Sequence, residues 1–136
     1  MNRNGLKELA LIRLKEVESL LKNGLYEGAY YLCGYVVECG LKACIAKQTK
    51  QYDFPDKNTV NESYTHDLTK LVKIAGLLTE LESKTKSEKK FEVYWSWVKD
   101  WKEESRYKRH TEKEARNLYF AITEKEGVLK SIEQHW

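Results

Sequence analysis

The apolar positions fall at helical spacing along nearly the whole chain. From Leu6 to Asn23, Ala10, Leu14, Val17 and Leu21 recur at intervals of four, three and four, with Arg, Lys and Glu on the other side. That pattern predicts an amphipathic helix with one buried stripe, closed by Asn23-Gly24. A second helix is expected from about Leu25 to Lys47. Between Gly28 and Ala46 it carries only two charges, Glu38 and Lys42, spaced to pair one turn apart along one edge. A helix apolar nearly all round must be covered nearly all round, so it is expected to be central or to form a subunit interface. Gly28, Gly34 and Gly40 within it read as notches for close approach of another backbone. Gln48 to Tyr64, with the lone Pro55 and no periodicity, reads as a loop. Thr65 reads as an N-cap for a third helix bearing Leu68, Leu71, Val72, Ala75 and Leu78, which ends in a charged stretch from Glu80 to Lys90. Phe91, Tyr94, Trp95, Val98 and Trp101 give a fourth, aromatic helix, with Trp97 pointing away from the core. Thr111 and Glu114 form a capping box for the last helix, striped by Ala115, Leu118, Ile122, Leu129 and Ile132. The expected fold is all-α: an up-and-down bundle of about five helices.

Composition narrows this further. The chain has 136 residues, 41% hydrophobic and 33% charged, which excludes disorder and fits a single domain over residues 1–136. There is no apolar run long enough for a membrane span and no secretory leader, so a cytoplasmic protein with no membrane contact is expected. Twenty-four basic and 21 acidic side chains leave a net charge of +3, too balanced for a dedicated nucleic-acid binder but compatible with a local patch.

That patch is Glu103-Glu104-Ser105-Arg106-Tyr107-Lys108-Arg109-His110. Arg106, Lys108 and Arg109 suit phosphate, Tyr107 suits a base, and His110 suits proton transfer. The positive N-terminus of the last helix, near Thr111, would add to an anion site there. Against this stands a solvated connector balanced by Glu103, Glu104 and Glu112. His66 either anchors the long loop or joins the ligand site, and His135 reads as a surface residue. Trp95 and Trp101 read as core. Cys33 and Cys44 fall on one side of a helix but about 16 Å apart along its axis, so the three cysteines, Cys39 included, read as buried thiols with no metal. No Gly-rich phosphate loop or other local cofactor motif occurs, and no cofactor is expected.

Three segments together resemble the HEPN family (higher eukaryotes and prokaryotes nucleotide-binding domain). Gly24-Leu25-Tyr26-Glu27-Gly28-Ala29 running to Glu38-Cys39-Gly40-Leu41-Lys42-Ala43 is similar to its helix ending in Glu-x-x-Leu-Lys-Ala. Thr65-His66-Asp67-Leu68 is similar to its Thr-His-x-Leu, and Ser105-Arg106-Tyr107 to its Arg-Tyr before the last helix. The resemblance covers nearly the whole chain. It implies a helical bundle, usually a homodimer, in a family of metal-independent ribonucleases and partners of small nucleotidyltransferases in toxin–antitoxin and defence systems. The family's nucleases carry Arg-x4-6-His, whereas three residues separate Arg106 from His110. Two functions follow: a dimeric module that binds a nucleotide, RNA or a nucleotidyltransferase-type partner without cutting, or a metal-independent ribonuclease acting through the RNA 2′-hydroxyl with Arg106 and His110 as its catalytic pair.

Overall fold

The computed structural model describes residues 1–49, 54 and 56–136, and every regular element among them is helical. Helix α1 (Arg3–Lys22) starts where the Asn2 carboxamide accepts from the Gly5 N–H at 2.8 Å. It ends where Gly24 takes φ +73° and the Leu25 N–H reaches back to the Leu20 carbonyl. Ala10, Val17 and Leu21 are buried and Leu14 is partly so, as the spacing predicts. Helix α2 (Tyr26–Lys47) is the centre of the fold, with α1 along one side and later helices on the others.

Between α2 and the aromatic helix the structure differs from the five-helix expectation. The segment expected to be a loop contains a short helix, α3 (Lys57–Glu62), capped by Asp56; Pro55 lies outside the described residues. The third expected helix stops early. Helix α4 (Leu68–Ile74) ends at Gly76, whose φ of +75° breaks the helix, and the charged stretch beyond is itself helical as α5 (Leu78–Ser87). Its Glu and Lys residues are good helix formers, and Leu78 and Leu81 pack against the core. Helix α6 (Lys89–Lys99) follows, burying Phe91, Tyr94, Trp95 and Val98. Trp97 does not point clear of the core, being half-buried against Tyr94. The last expected helix is two: α7 (Glu112–Thr123) and α8 (Val128–Glu133). The break falls at Gly127, where a Cβ would lie 2.6 Å from the Ala121 carbonyl oxygen. All five residues of the expected stripe are nevertheless buried. The result is eight α-helices among the described residues, none long and apolar enough to cross a membrane.

One packing contact positions the region of interest. Just after α6, the Trp101 indole packs against Gly34, where an added Cβ would sit 1.9 Å from Cε2. Its Nε1–H donates to the Tyr31 carbonyl at 3.1 Å. Gly34 is thus a notch for a side chain and not for a backbone. Gly40 meets Ile132 at 3.2 Å, and Gly28 meets only Leu20, at an ordinary 3.5 Å. Trp101 fixes the following 3-10 turn (Glu103–Tyr107) against α2.

Candidate functional site

Glu38 is the charge that α2 buries. Its side chain is 6% exposed, and a carboxylate so far from water requires partners. It has two. The Lys42 ammonium, one turn on, lies 3.3 Å from Oε2, as the i, i+4 spacing predicts. The second was not expected: His66 Nδ1 lies 2.7 Å from Oε1. A carboxylate accepts, so Nδ1–H donates, and in the neutral ring the lone pair then sits on Nε2, directed away from α2.

The turn that delivers His66 is built from its neighbours. The Asp67 N–H donates to Thr65 Oγ1 at 3.1 Å, and the Asp67 carboxylate accepts from the Lys70 N–H. Asp67, and not Thr65, is therefore the N-cap of α4. His66 sits immediately before the cap, with its side chain 40% exposed.

On the far side of the ring stands the 3-10 turn. Glu103 Oε1 is 3.4 Å from His66 Nε2 and 3.7 Å from Arg106 Nη1, so one carboxylate oxygen lies beside both groups. The Arg106 guanidinium is held further on its charged side by the Tyr31 hydroxyl beside it. Its carbon lies 4.7 Å over the ring of Tyr107, which is 77% exposed. The Tyr31 and Tyr35 hydroxyls are 3.0 Å apart, and Tyr35 meets both His66 and Trp101 edge-on. Burial, aided by the Tyr31 hydroxyl, pushes the Tyr35 phenol up, so it stays neutral at physiological pH. An open groove of about 510 Å³ runs beside these groups between α1 and α2, walled by Leu32, Tyr35, Cys39 and Lys42 on the α2 side. The assembly is a small polar surface with a guanidinium, an oriented imidazole and an exposed aromatic ring.

The basic stretch is otherwise dispersed. Arg109 is almost fully exposed and donates from Nε to Glu27 at 2.8 Å, which holds the Glu27 carboxyl below its usual range. Lys108 is exposed at the end of the turn. His110 stacks on Tyr30, with ring centroids 3.8 Å apart and planes 13° apart, and its side chain is 8% exposed. Its Nδ1 lies 3.3 Å from Glu114, and its Nε2 is buried without a partner. The structure thus brings Arg106, Tyr107 and His66 together and places His110 in a separate packing contact. The N-terminus of α7 is also occupied. Thr111 Oγ1 accepts from the Glu114 N–H and Glu114 accepts from the Thr111 N–H, so two first-turn donors are used and two carboxylates stand there. The expected contribution of that terminus to an anion site is not met.

The three cysteines are buried thiols. Burial pushes Cys33 up, and Cys39 and Cys44 up to about 11. Among the described residues no three His, Cys, Asp or Glu are arranged to hold a metal ion. His135, expected at the surface, is partly covered, its Nε2 2.6 Å from a Glu80 oxygen.

Sequence reasoning missed Glu38 and Glu103 as members of the site. Glu38 did carry a signal, as one of two charges in an otherwise apolar helix. Its partner lies 28 residues away, beyond the reach of helical spacing. No curated protein and no solved structure matches the chain. The family model described as HEPN domain matches residues 4–135. With that match spanning all but a few residues, and with a wholly helical fold beneath it, the chain belongs to the HEPN domain family.

Proposed function

We propose that the protein is a homodimeric module that binds a nucleotide or RNA without cutting it, in company with a small nucleotidyltransferase of a toxin–antitoxin or defence system. The carrying observation is that Arg106 and His66 share one carboxylate oxygen while Tyr107 lies exposed beneath the guanidinium. Arginine offers a forked donor to phosphate and tyrosine a face to a base, the two contacts a nucleotide needs. Binding is favoured over cleavage because His110, the histidine the ribonuclease reading pairs with Arg106, is stacked on Tyr30 and engaged by Glu114. The nucleotidyltransferase rests on family membership alone. The homodimer rests on family membership and on the groove beside Tyr35. Most of α2 is covered within the chain, and that groove is one partly apolar stretch of α2 open to a second copy.

The test is binding of a short labelled single-stranded RNA with EDTA present. Arg106→Ala should weaken binding about tenfold, since a charged hydrogen bond to phosphate is worth roughly 1.5–3 kcal/mol, and should lower the salt slope. Light scattering on the same sample should give about twice 16.0 kDa. Unchanged affinity in the variant would remove the reading. Metal-independent cleavage of the RNA would favour a ribonuclease, with His66 and not His110 as the imidazole beside Arg106.

A further inference from the structure

Glu103 places one carboxylate oxygen beside both the His66 ring and the Arg106 guanidinium. Its Oε1 is held loosely, at 3.4 Å from His66 Nε2 and 3.7 Å from Arg106 Nη1, both longer than a well-formed hydrogen bond. The side chains concerned are partly exposed, and exposed ion pairs of this kind contribute little to stability. The groups on either side of the carboxylate do not depend on it. His66 is fixed from behind by the buried Glu38 at 2.7 Å, and the Arg106 guanidinium lies 4.7 Å over the Tyr107 ring. The turn carrying Glu103 is anchored by Trp101 on Gly34, outside the contact itself. Removing the Glu103 carboxylate would therefore leave a formed pair of phosphate contacts with an open position between them.

We propose that Arg106 and His66 form the phosphate subsite of a nucleotide or RNA ligand, and that Glu103 fills this subsite in the free protein and must be displaced before a phosphate can enter. The inference rests on the binding reading above and adds its regulation. Phosphate oxygens accept from the Arg106 fork. His66 Nε2 donates to a phosphate oxygen when the ring is charged, or, with a phosphomonoester alone, accepts from its protonated oxygen when the ring is neutral, while Nδ1–H remains on Glu38. The adjoining base stacks on Tyr107. Glu103 sets the affinity by competition, because a phosphate and a carboxylate cannot share the position without like-charge repulsion.

The experiment titrates inorganic phosphate, adenosine monophosphate and a short labelled single-stranded RNA into the full chain and into Glu103→Gln, Glu103→Ala, Arg106→Ala and Glu103→Gln/Arg106→Ala. Thermal melts confirm that each variant is folded. Both Glu103 variants should bind at least one phosphate probe about tenfold more tightly than the unaltered chain, and the double variant should lose the gain. A gain with phosphate and adenosine monophosphate alone assigns a free nucleotide, and a gain with RNA alone assigns a backbone phosphate. If RNA binds and Arg106→Ala weakens it, but neither Glu103 variant tightens it, Glu103 is not the occupant; this inference falls and the binding reading stands. If no probe binds the unaltered chain or either Glu103 variant, both fall.

Discussion

Glu38 and Gly34 show how much of the site depends on single positions in one helix. Glu38 turns an apolar surface into the anchor of His66, and Gly34 admits the indole that holds the 3-10 turn. Gly34→Ala puts a methyl group inside the Trp101 ring, so the ring must move or α2 must shift. Overpacking of this sort costs about 1–3 kcal/mol. Because the displaced residue anchors Arg106, RNA affinity should fall along with the melting temperature. Gly28→Ala is the matched comparison, since its new Cβ meets only ordinary contact with Leu20. It should be neutral or stabilising by up to about 1 kcal/mol through helix propensity. Urea unfolding of the two variants checks the contrast, and equal effects would mean that the indole contact is not what limits Gly34. The sequence alone marked all three glycines of α2 alike, because spacing says where a notch is and not what fills it. In the same way it marked Glu38 as half of a pair with Lys42 and left His66 out, because only the tertiary fold closes that distance.

At the scale of elements, the helices that read clearly are those whose ends carry their own chemistry. Asn23-Gly24 closes α1, and the Thr111–Glu114 box opens α7, both at the expected places. The breaks at Gly76 and Gly127 were not legible because the apolar stripe resumes in phase after each. Leu118, Ile122, Leu129 and Ile132 are all buried although the helix is broken between Ile122 and Leu129. The capping box makes α7 sensitive to acid. The Thr111 backbone N–H, and then the His110 ring, holds the Glu114 carboxyl below its ordinary range. A carboxyl lowered on folding contributes stability that is fully present above its unfolded value, about 4.3, and is lost as the pH falls through the folded value. Glu114→Gln should therefore melt below the unaltered chain at neutral pH, and the difference should narrow below about pH 4. Thr111→Ala should cost about 1 kcal/mol through loss of the cap. A difference in melting temperature between the Glu114 variant and the unaltered chain that is the same at pH 7 and pH 3 would count against this origin.

At the scale of the molecule, the groups of the candidate site come from three separated stretches: α2 supplies Glu38 and the two tyrosines, the turn before α4 supplies His66, and the turn after α6 supplies Glu103, Arg106 and Tyr107. The basic run from Arg106 to His110 is contiguous in sequence but is not one site, since Arg109 goes to Glu27 and His110 to Tyr30. The proposed ligand position is the Arg106–His66 side, and side-chain NMR of His66 and His110 during titration with adenosine monophosphate and RNA reads it out. The His66 ring signals should move saturably with ligand while those of His110 stay in place, and Arg106→Ala should remove the movement. Saturable shifts at His110 with His66 unmoved would place the ligand elsewhere and overturn the proposed position.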